Sequence, residues 1–349
     1  MVLSMYVDSG DDSDERILAA AIEQSLLAGE LGFNPWYTEH HFRGPWHSAP
    51  LQFAAYIAPQ LPPGRRLGFG VLSVPYYHPV RLAEQMNLLD QLTSGHTLYG
   101  LGSGFPGIEN PSAGVSDDYH GSGQAARDNI EVLEHLWDYR TGDQPYEFDT
   151  GVYRGRVVKR IVPAPYGGRR RPTIIRTART SEAAVDAARR GWPAFLGSFG
   201  ADLVEQVEAY QSTVLISDHP AEVVDECLRY STVDWTGVVL AEDEAELPRL
   251  VEAARAERAA QRAKLPDGAR QVAAGGAKIV AGTPEQIAEQ VDLLHGLGIE
   301  HLLVRFLGEW HGQTRWIAER SMRLFAEQVA PRFADPQPRT RTPQLLESR

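Results

Sequence analysis

Short apolar runs alternate with longer amphipathic stretches along almost the whole chain. The runs at 2–7, 35–38, 66–74, 97–101, 173–176, 194–196, 237–240 and 301–306 predict short strands. Helical periodicity predicts helices at 14–31, 80–92, 124–137, 181–190, 201–215, 244–263, 283–297 and 314–329. In 124–137 the apolar residues Ile130, Leu133, Leu136 and Trp137 fall on one face. Punctuation agrees with these boundaries. Ser13 or Asp14 caps the first helix and Gly32 follows its end. Thr283-Pro284-Glu285 opens a later one with an N-cap and a proline at the first helical position.

Two segments break the alternation. Residues 146–149 and 152–154 flank Thr150-Gly151 and predict a hairpin after the fourth barrel helix, 124–137. Residues 266–276 read as a loop before the last strand–helix unit. Eight strands, mostly followed by a helix, imply a parallel sheet covered on its faces, and eight units fit a closed barrel better than an open sheet. The expected fold class is α/β, a (β/α)8 TIM barrel with these two insertions. It forms one domain over residues 1–333, and the polar, proline-bearing tail 334–349 is expected to be disordered.

Composition narrows the function. With 43% hydrophobic and 23% charged residues among 349, a sizeable core is expected. A net charge of −12 argues against nucleic acid or an anionic membrane as the main partner. The single cysteine, Cys227, excludes a disulfide framework or a thiolate metal cluster. No apolar run is long enough for a membrane span and no signal-peptide pattern opens the chain, so a cytoplasmic location is expected.

In a barrel of this kind the chemistry sits at the C-terminal ends of the strands. Glu39-His40-His41-Phe42 follows the second strand. The His40-His41 pair has three readings: polar caps of a strand, metal ligands, or acid–base groups near neutral pH. Adjacent residues point to opposite sides of a strand, and no His-x-His or His-x-x-x-His occurs, so the usual metal spacings are absent. Gly70-Val71, then Tyr76-Tyr77-His78-Pro79, follow the third strand. Gly102-Ser103-Gly104-Phe105-Pro106-Gly107 follows the fourth. It matches a dinucleotide fingerprint in spacing, but Pro106, Pro111 and Gly114 turn the region into a loop, so a close backbone approach to a flat ligand is the better reading. Arg127, Arg176, Arg179 and Thr180 are candidate phosphate contacts. Tyr76, Tyr77, Phe105 and Trp310, with Trp36 and His47, are candidate pocket walls.

These segments together resemble the bacterial luciferase-like monooxygenases. Gly32-Phe33, Trp36 and Glu39-His40-His41-Phe42 look like that family's second-strand region. His78-Pro79-Val80-Arg81 and Leu88-Leu89-Asp90-Gln91-Leu92-Thr93-Ser94-Gly95 look like the segment after its third strand. Tyr99 to Gly104 is similar to its fourth strand, Thr180-Ser181-Glu182-Ala183-Ala184 to its fifth helix, and Gly282-Thr283-Pro284-Glu285-Gln286 to a late turn. The matches keep their order from about residue 10 to 330.

The resemblance implies a TIM barrel that binds reduced FMN supplied by a separate, transient flavin reductase. Dioxygen would add at the flavin C4a, and the peroxide would oxidise a small organic or natural-product substrate. It maps the catalytic histidine to His40, with His41 beside it, and a non-proline cis peptide to Gly70-Val71, where backbone would face the flavin. Arg127 maps to a phosphate ligand, and a homodimer is implied. Two departures stand out. A luciferase arginine near the phosphate falls at Ser103 and a reactive cysteine at Gly102, so phosphate anchoring would shift toward Arg176, Arg179 or Thr180. A deazaflavin-dependent hydride-transfer oxidoreductase and a non-catalytic flavin-binding subunit remain as alternatives.

Overall fold

A computed structural model describes residues 13–42, 47–178, 180–197, 201–263, 279–308 and 312–333. The expected strand at 2–7, the loop at 266–276 and the tail 334–349 lie outside them. Within them helix and strand alternate. Helix α1 (Asp14–Glu30) leads to strand β1 (Trp36–Tyr37), then α2 (Pro50–Ile57), β2 (Leu67–Ser73), α3 (Pro79–Leu92) and β3 (Thr97–Gly102). A four-residue turn of helix, α4 (Glu109–Ser112), precedes the long α5 (Tyr119–Asp138) and the strands β4 (Tyr146–Asp149) and β5 (Arg154–Val157). Next come β6 (Ile174–Ala178), α6 (Ser181–Arg189), β7 (Ala194–Leu196), α7 (Ala201–Ile216), α8 (Ala221–Tyr230) and β8 (Thr232–Leu240). The chain continues through α9 (Leu247–Ala263), β9 (Val280–Gly282), α10 (Pro284–Gly296), β10 (His301–Phe306) and α11 (Arg315–Leu324).

All strands except β4 and β5 join one parallel sheet in the order β1-β2-β3-β6-β7-β8-β10, with β9 beside the upper part of β8. The sheet curls on itself: Trp36 on its first strand lies 5.4 Å, ring to ring, from His301 on its last. Two cores follow from the period-two alternation of side chains. Outward-facing Phe69, Tyr99, Leu101, Ile174, Ala178 and Leu196 pack under the helices. Inward-facing Trp36, Leu98, Ile175, Phe195 and Leu303 fill the centre. Trp36 and Phe195 meet edge to face at 5.6 Å. They fit because their neighbours are glycines. A Cβ on Gly68 would sit 2.0 Å from the Trp36 ring, and one on Gly100 would sit 2.7 Å from Phe195.

Several elements depart from the sequence expectation. Strand β8 begins at Thr232 rather than 237, because its inward positions are polar: Thr232 Oγ1 lies 2.8 Å from His301 Nδ1. Helices α2 and α8 and strand β9 were not anticipated. The hairpin is present, but its second strand is Arg154–Val157, not 152–154. The Thr150 N–H donates to Tyr153 O and Gly151 takes a φ of +75°, so residues 150–153 form the turn and pairing starts at Asp149 with Arg154. Helix α5 starts at Tyr119, capped by Asp118, not at 124.

Candidate active site

Beyond β1 the chain stays beside β2, and the Glu39 N–H donates to Val71 O at 3.2 Å. Extended backbone sends Glu39 and His41 to one side and His40 to the other. His40 is buried, with Nδ1 3.1 Å from Glu109 Oε1. Its ring meets Phe105 edge-on at 5.4 Å and His47 at 6.0 Å. Glu109 opens α4, is 1% exposed and comes 69 residues after His40. With Nδ1–H donating to this carboxylate the imidazole is fixed in orientation, and Nε2 becomes its basic nitrogen. On the opposite side His41 Nε2 lies 3.2 Å from Glu39 Oε1. That hydrogen bond raises the His41 pKa, while burial raises that of Glu39.

Two strand ends form the floor. The Gly70-Val71 peptide is cis, at the position expected from the resemblance. Beside it β3 ends in Gly102, where a Cβ would lie 2.4 Å from Val71 Cγ2. Val71 therefore occupies the room that a side chain at 102 would need. The loop beyond β3 is clamped. Tyr76 Oη donates to Asn110 Oδ1 at 2.7 Å and accepts from the Phe105 N–H at 2.8 Å. Gly104 makes this possible, with a φ of +83° and no Cβ to strike Asn110 Oδ1 or the Tyr76 hydroxyl. The clamp presents Phe105 to His40. Behind it the buried Asn129 of α5 donates through Nδ2 to Val74 O and Tyr77 O, which fixes the turn after β2.

The structure thus brings together His40, His41, Gly70, Val71, Gly102, Ser103, Tyr76 and Phe105. Tyr77 is tied to the same cluster, its hydroxyl donating to Glu39 Oε1 at 2.7 Å. The structure separates others. Arg176 does not face the mouth. Its neighbours Ile175 and Thr177 take the inward positions of β6, so Arg176 turns to the helix layer, 5.2 Å above the Trp192 ring. Burial there holds its pKa down to about 10. Arg127 lies in the third turn of α5 rather than at its start, is exposed, and donates to Gln124 Oε1 at 2.7 Å. Thr180 caps α6, its side chain accepting from Ala183 N. His47 is buried, with Nδ1 3.1 Å from Thr38 Oγ1. His78 sits between Phe148 and Tyr153. Arg179 and Trp310 lie outside the described residues. Glu109 and Asn110 were missed, and the only signal for them was a carboxylate just beyond a glycine loop at a strand end. Among the described residues no group of three or more His, Cys, Asp or Glu is placed to hold a metal. No helix among them is long and apolar enough to cross a membrane.

Comparison with known proteins adds to this geometry. A family model described as luciferase-like monooxygenase matches residues 1–301. The alkanal monooxygenase alpha chain of Photobacterium leiognathi is 26% identical over 363 residues, covering 93% of this chain and 96% of that protein. Matches to some other curated relatives are local, spanning 30% of one and 24% of another. Among solved structures, the oxygenating constituent of 3,6-diketocamphane monooxygenase from Pseudomonas putida, a Baeyer–Villiger monooxygenase in complex with FMN, superposes with a TM-score of 0.72. It is 18% identical and covers 97% of this chain and 98% of that one. An F420-dependent secondary alcohol dehydrogenase superposes at 0.66, with 14% identity over 91% of this chain and 96% of that one. At such identities these two structures share the fold.

Proposed function

The chain belongs to the luciferase-like monooxygenase family, and from that membership we propose that it is the oxygenase of a two-component system. It takes reduced FMN from a separate flavin reductase and uses dioxygen to oxidise a small organic or natural-product substrate. The observation that carries this reading is the buried His40–Glu109 pair, held edge-on to Phe105 beyond the end of β3. The residues present fit a flat ring. Gly70 and Val71 would offer backbone to it, with the Val71 side chain over Gly102, and Ser103 at the strand end beyond. Arg127 and the N-terminus of α6 with Thr180 and Arg179 are the candidates for the phosphate, and Arg176 is set aside because it faces the helices. Tyr76, Phe105 and Trp310 would border the substrate.

Reduced FMN would supply the electrons that activate dioxygen. The protein's own part is to hold and move a proton. His40 accepts or delivers it at Nε2 while Glu109 steadies the imidazolium through Nδ1. Phe105, edge-on to His40, limits water around that ring.

The same His–carboxylate pair is what a hydride-transfer enzyme needs to take the proton of an alcohol, so a deazaflavin coenzyme is the second reading. Anaerobic titration with FMN, reduced FMN and a deazaflavin coenzyme separates the two. Turnover assays with a supplied reductase would then follow oxygen uptake and product. Tight binding of reduced FMN and oxygen-dependent product are expected, with His40→Ala lowering kcat about 100-fold or more. Full activity in His40→Ala would overturn the role given to His40. Deazaflavin binding with oxygen-independent turnover would move the assignment to the second reading. Flavin retention without turnover on any substrate would point to a non-catalytic subunit.

A further inference from the structure

We propose that Glu39 is a positioning residue for the cofactor ring, its carboxylate fixing the β2 backbone from Gly70 to Ser73 against which that ring would lie. The inference rests on the flavin reading above and assigns a task to a side chain that plays no part in the proton chemistry.

Strand β2 loses its ordinary support at this point. Its pairing with β1 covers only Trp36 with Gly68 and Tyr37 with Phe69, and its register with β3 shifts between Phe69 and Leu72. Residues 70 and 71, joined by the cis bond, fall in that gap. Glu39 fills it twice. Its own N–H donates to Val71 O at 3.2 Å, and its Oε2 accepts from the Ser73 N–H at 2.6 Å. One residue thus brackets Leu72 from both sides. The other oxygen accepts from the Tyr77 hydroxyl at 2.7 Å and lies 3.2 Å from His41 Nε2.

The chemistry of this cluster suits a carboxylate. The Ser73 N–H can only donate, the Tyr77 hydroxyl donates to Oε1, and a protonated His41 donates to that same oxygen, a set that two accepting oxygens satisfy at once. A glutamine keeps one oxygen for the Ser73 N–H but turns its NH2 to Tyr77 Oη and His41 Nε2, so the charge and the bonds these two donate are lost. Glu39 is only 4% exposed, and a charge is kept out of water at a cost that an apolar side chain at this position would avoid. His40 points the other way and pairs with Glu109, so the two carboxylates have separable tasks.

The test measures anaerobic binding of reduced FMN and reduced riboflavin to wild type, Glu39→Gln and Tyr77→Phe, with flavin KM and kcat for each. Glu39→Gln is expected to weaken both ligands by about 10-fold, the equivalent of one charge-assisted hydrogen bond. Riboflavin is affected equally because the ring, not the phosphate, is misplaced. KM for flavin rises in step, kcat stays within about 3-fold, and the circular dichroism of the bound flavin changes. Tyr77→Phe, which removes one donor and leaves the carboxylate, moves affinity the same way by about 3-fold. Wild-type affinity in Glu39→Gln overturns the inference and leaves the flavin reading standing. A fall in kcat at unchanged affinity overturns it too. Wild type that binds no flavin overturns both. If Glu39→Gln does not fold, Tyr77→Phe decides, and unchanged affinity there overturns the inference.

Discussion

Gly102 and Val71 share one space, and the structure gives the size of the conflict. A Cβ at 102 would lie 2.4 Å from Val71 Cγ2, 3.4 Å from Val71 Cβ and 3.7 Å from Leu72 O. Only the first contact is impossible, and the atom that makes it belongs to a β-branched side chain with few rotamers to retreat into. Gly102→Ala therefore overpacks the site by about 1–3 kcal/mol, from which roughly 0.5 kcal/mol is recovered because alanine orders more cheaply than glycine in a strand. Val71→Ala alone removes two methyl groups from a half-buried position, about 1 kcal/mol. In the double variant Cγ2 is gone and the remaining contacts are ordinary. Its total loss should fall roughly 0.5 kcal/mol below that of Val71→Ala alone, so the two changes couple favourably by about 1–3 kcal/mol, the overpacking cost itself. Urea unfolding of the four proteins measures this cycle. The affinity for reduced FMN should follow the same pattern, falling in Gly102→Ala as Val71 is pushed into the mouth and recovering in the double variant. Additive losses within about 0.5 kcal/mol would refute the shared-space argument.

Other outcomes follow from other residues. Glu109→Gln should leave flavin affinity unchanged but lower kcat by about 10- to 100-fold, since the His40 imidazolium loses its carboxylate, and steady-state kinetics with a fixed reductase would show it. Asp90, fully buried, accepts from Arg169, Thr97 Oγ1 and the Tyr166 N–H, so Asp90→Ala should cost about 3–5 kcal/mol in denaturant unfolding with the site otherwise intact. Burial first, with Arg66 adding to it, holds the His301 imidazole down to about 3 from 6.5. Below pH 6.5 the unfolded chain gains a proton that the folded one refuses. Stability should therefore fall as pH drops toward 3, by on the order of 1 kcal/mol per pH unit, and His301→Gln should flatten that slope.

What could be read from the sequence depended on whether the signal was local. Caps were local: Ser13 accepts from Arg16 N, and Thr283 forms a reciprocal capping box with Gln286, as their positions before apolar periodicity suggested. His40 and the glycines after β2 and β3 were visible because the family pattern is written in contiguous residues. Glu109 was not, since its tie to His40 exists only after β3 carries its loop over the end of β1. Strand β8 extends beyond the apolar run 237–240 because Thr232, Asp234 and Thr236 alternate with apolar residues, and Thr232 finds a partner in His301 of the next strand. Arg176 was placed at the mouth by its position at a strand end, and strand alternation turns it to the helix layer instead.

The plug of Trp36, Phe195, Leu98, Ile175 and Leu303 makes the barrel a blind well. Among the described residues this plug closes the axis, so on the reading proposed above the reactants would arrive and the product would leave at the strands' C-terminal ends. A cofactor lying on the β2 backbone at Gly70 and Val71 would then be the floor for the substrate above it, and a slow-leaving product would hold that cofactor captive.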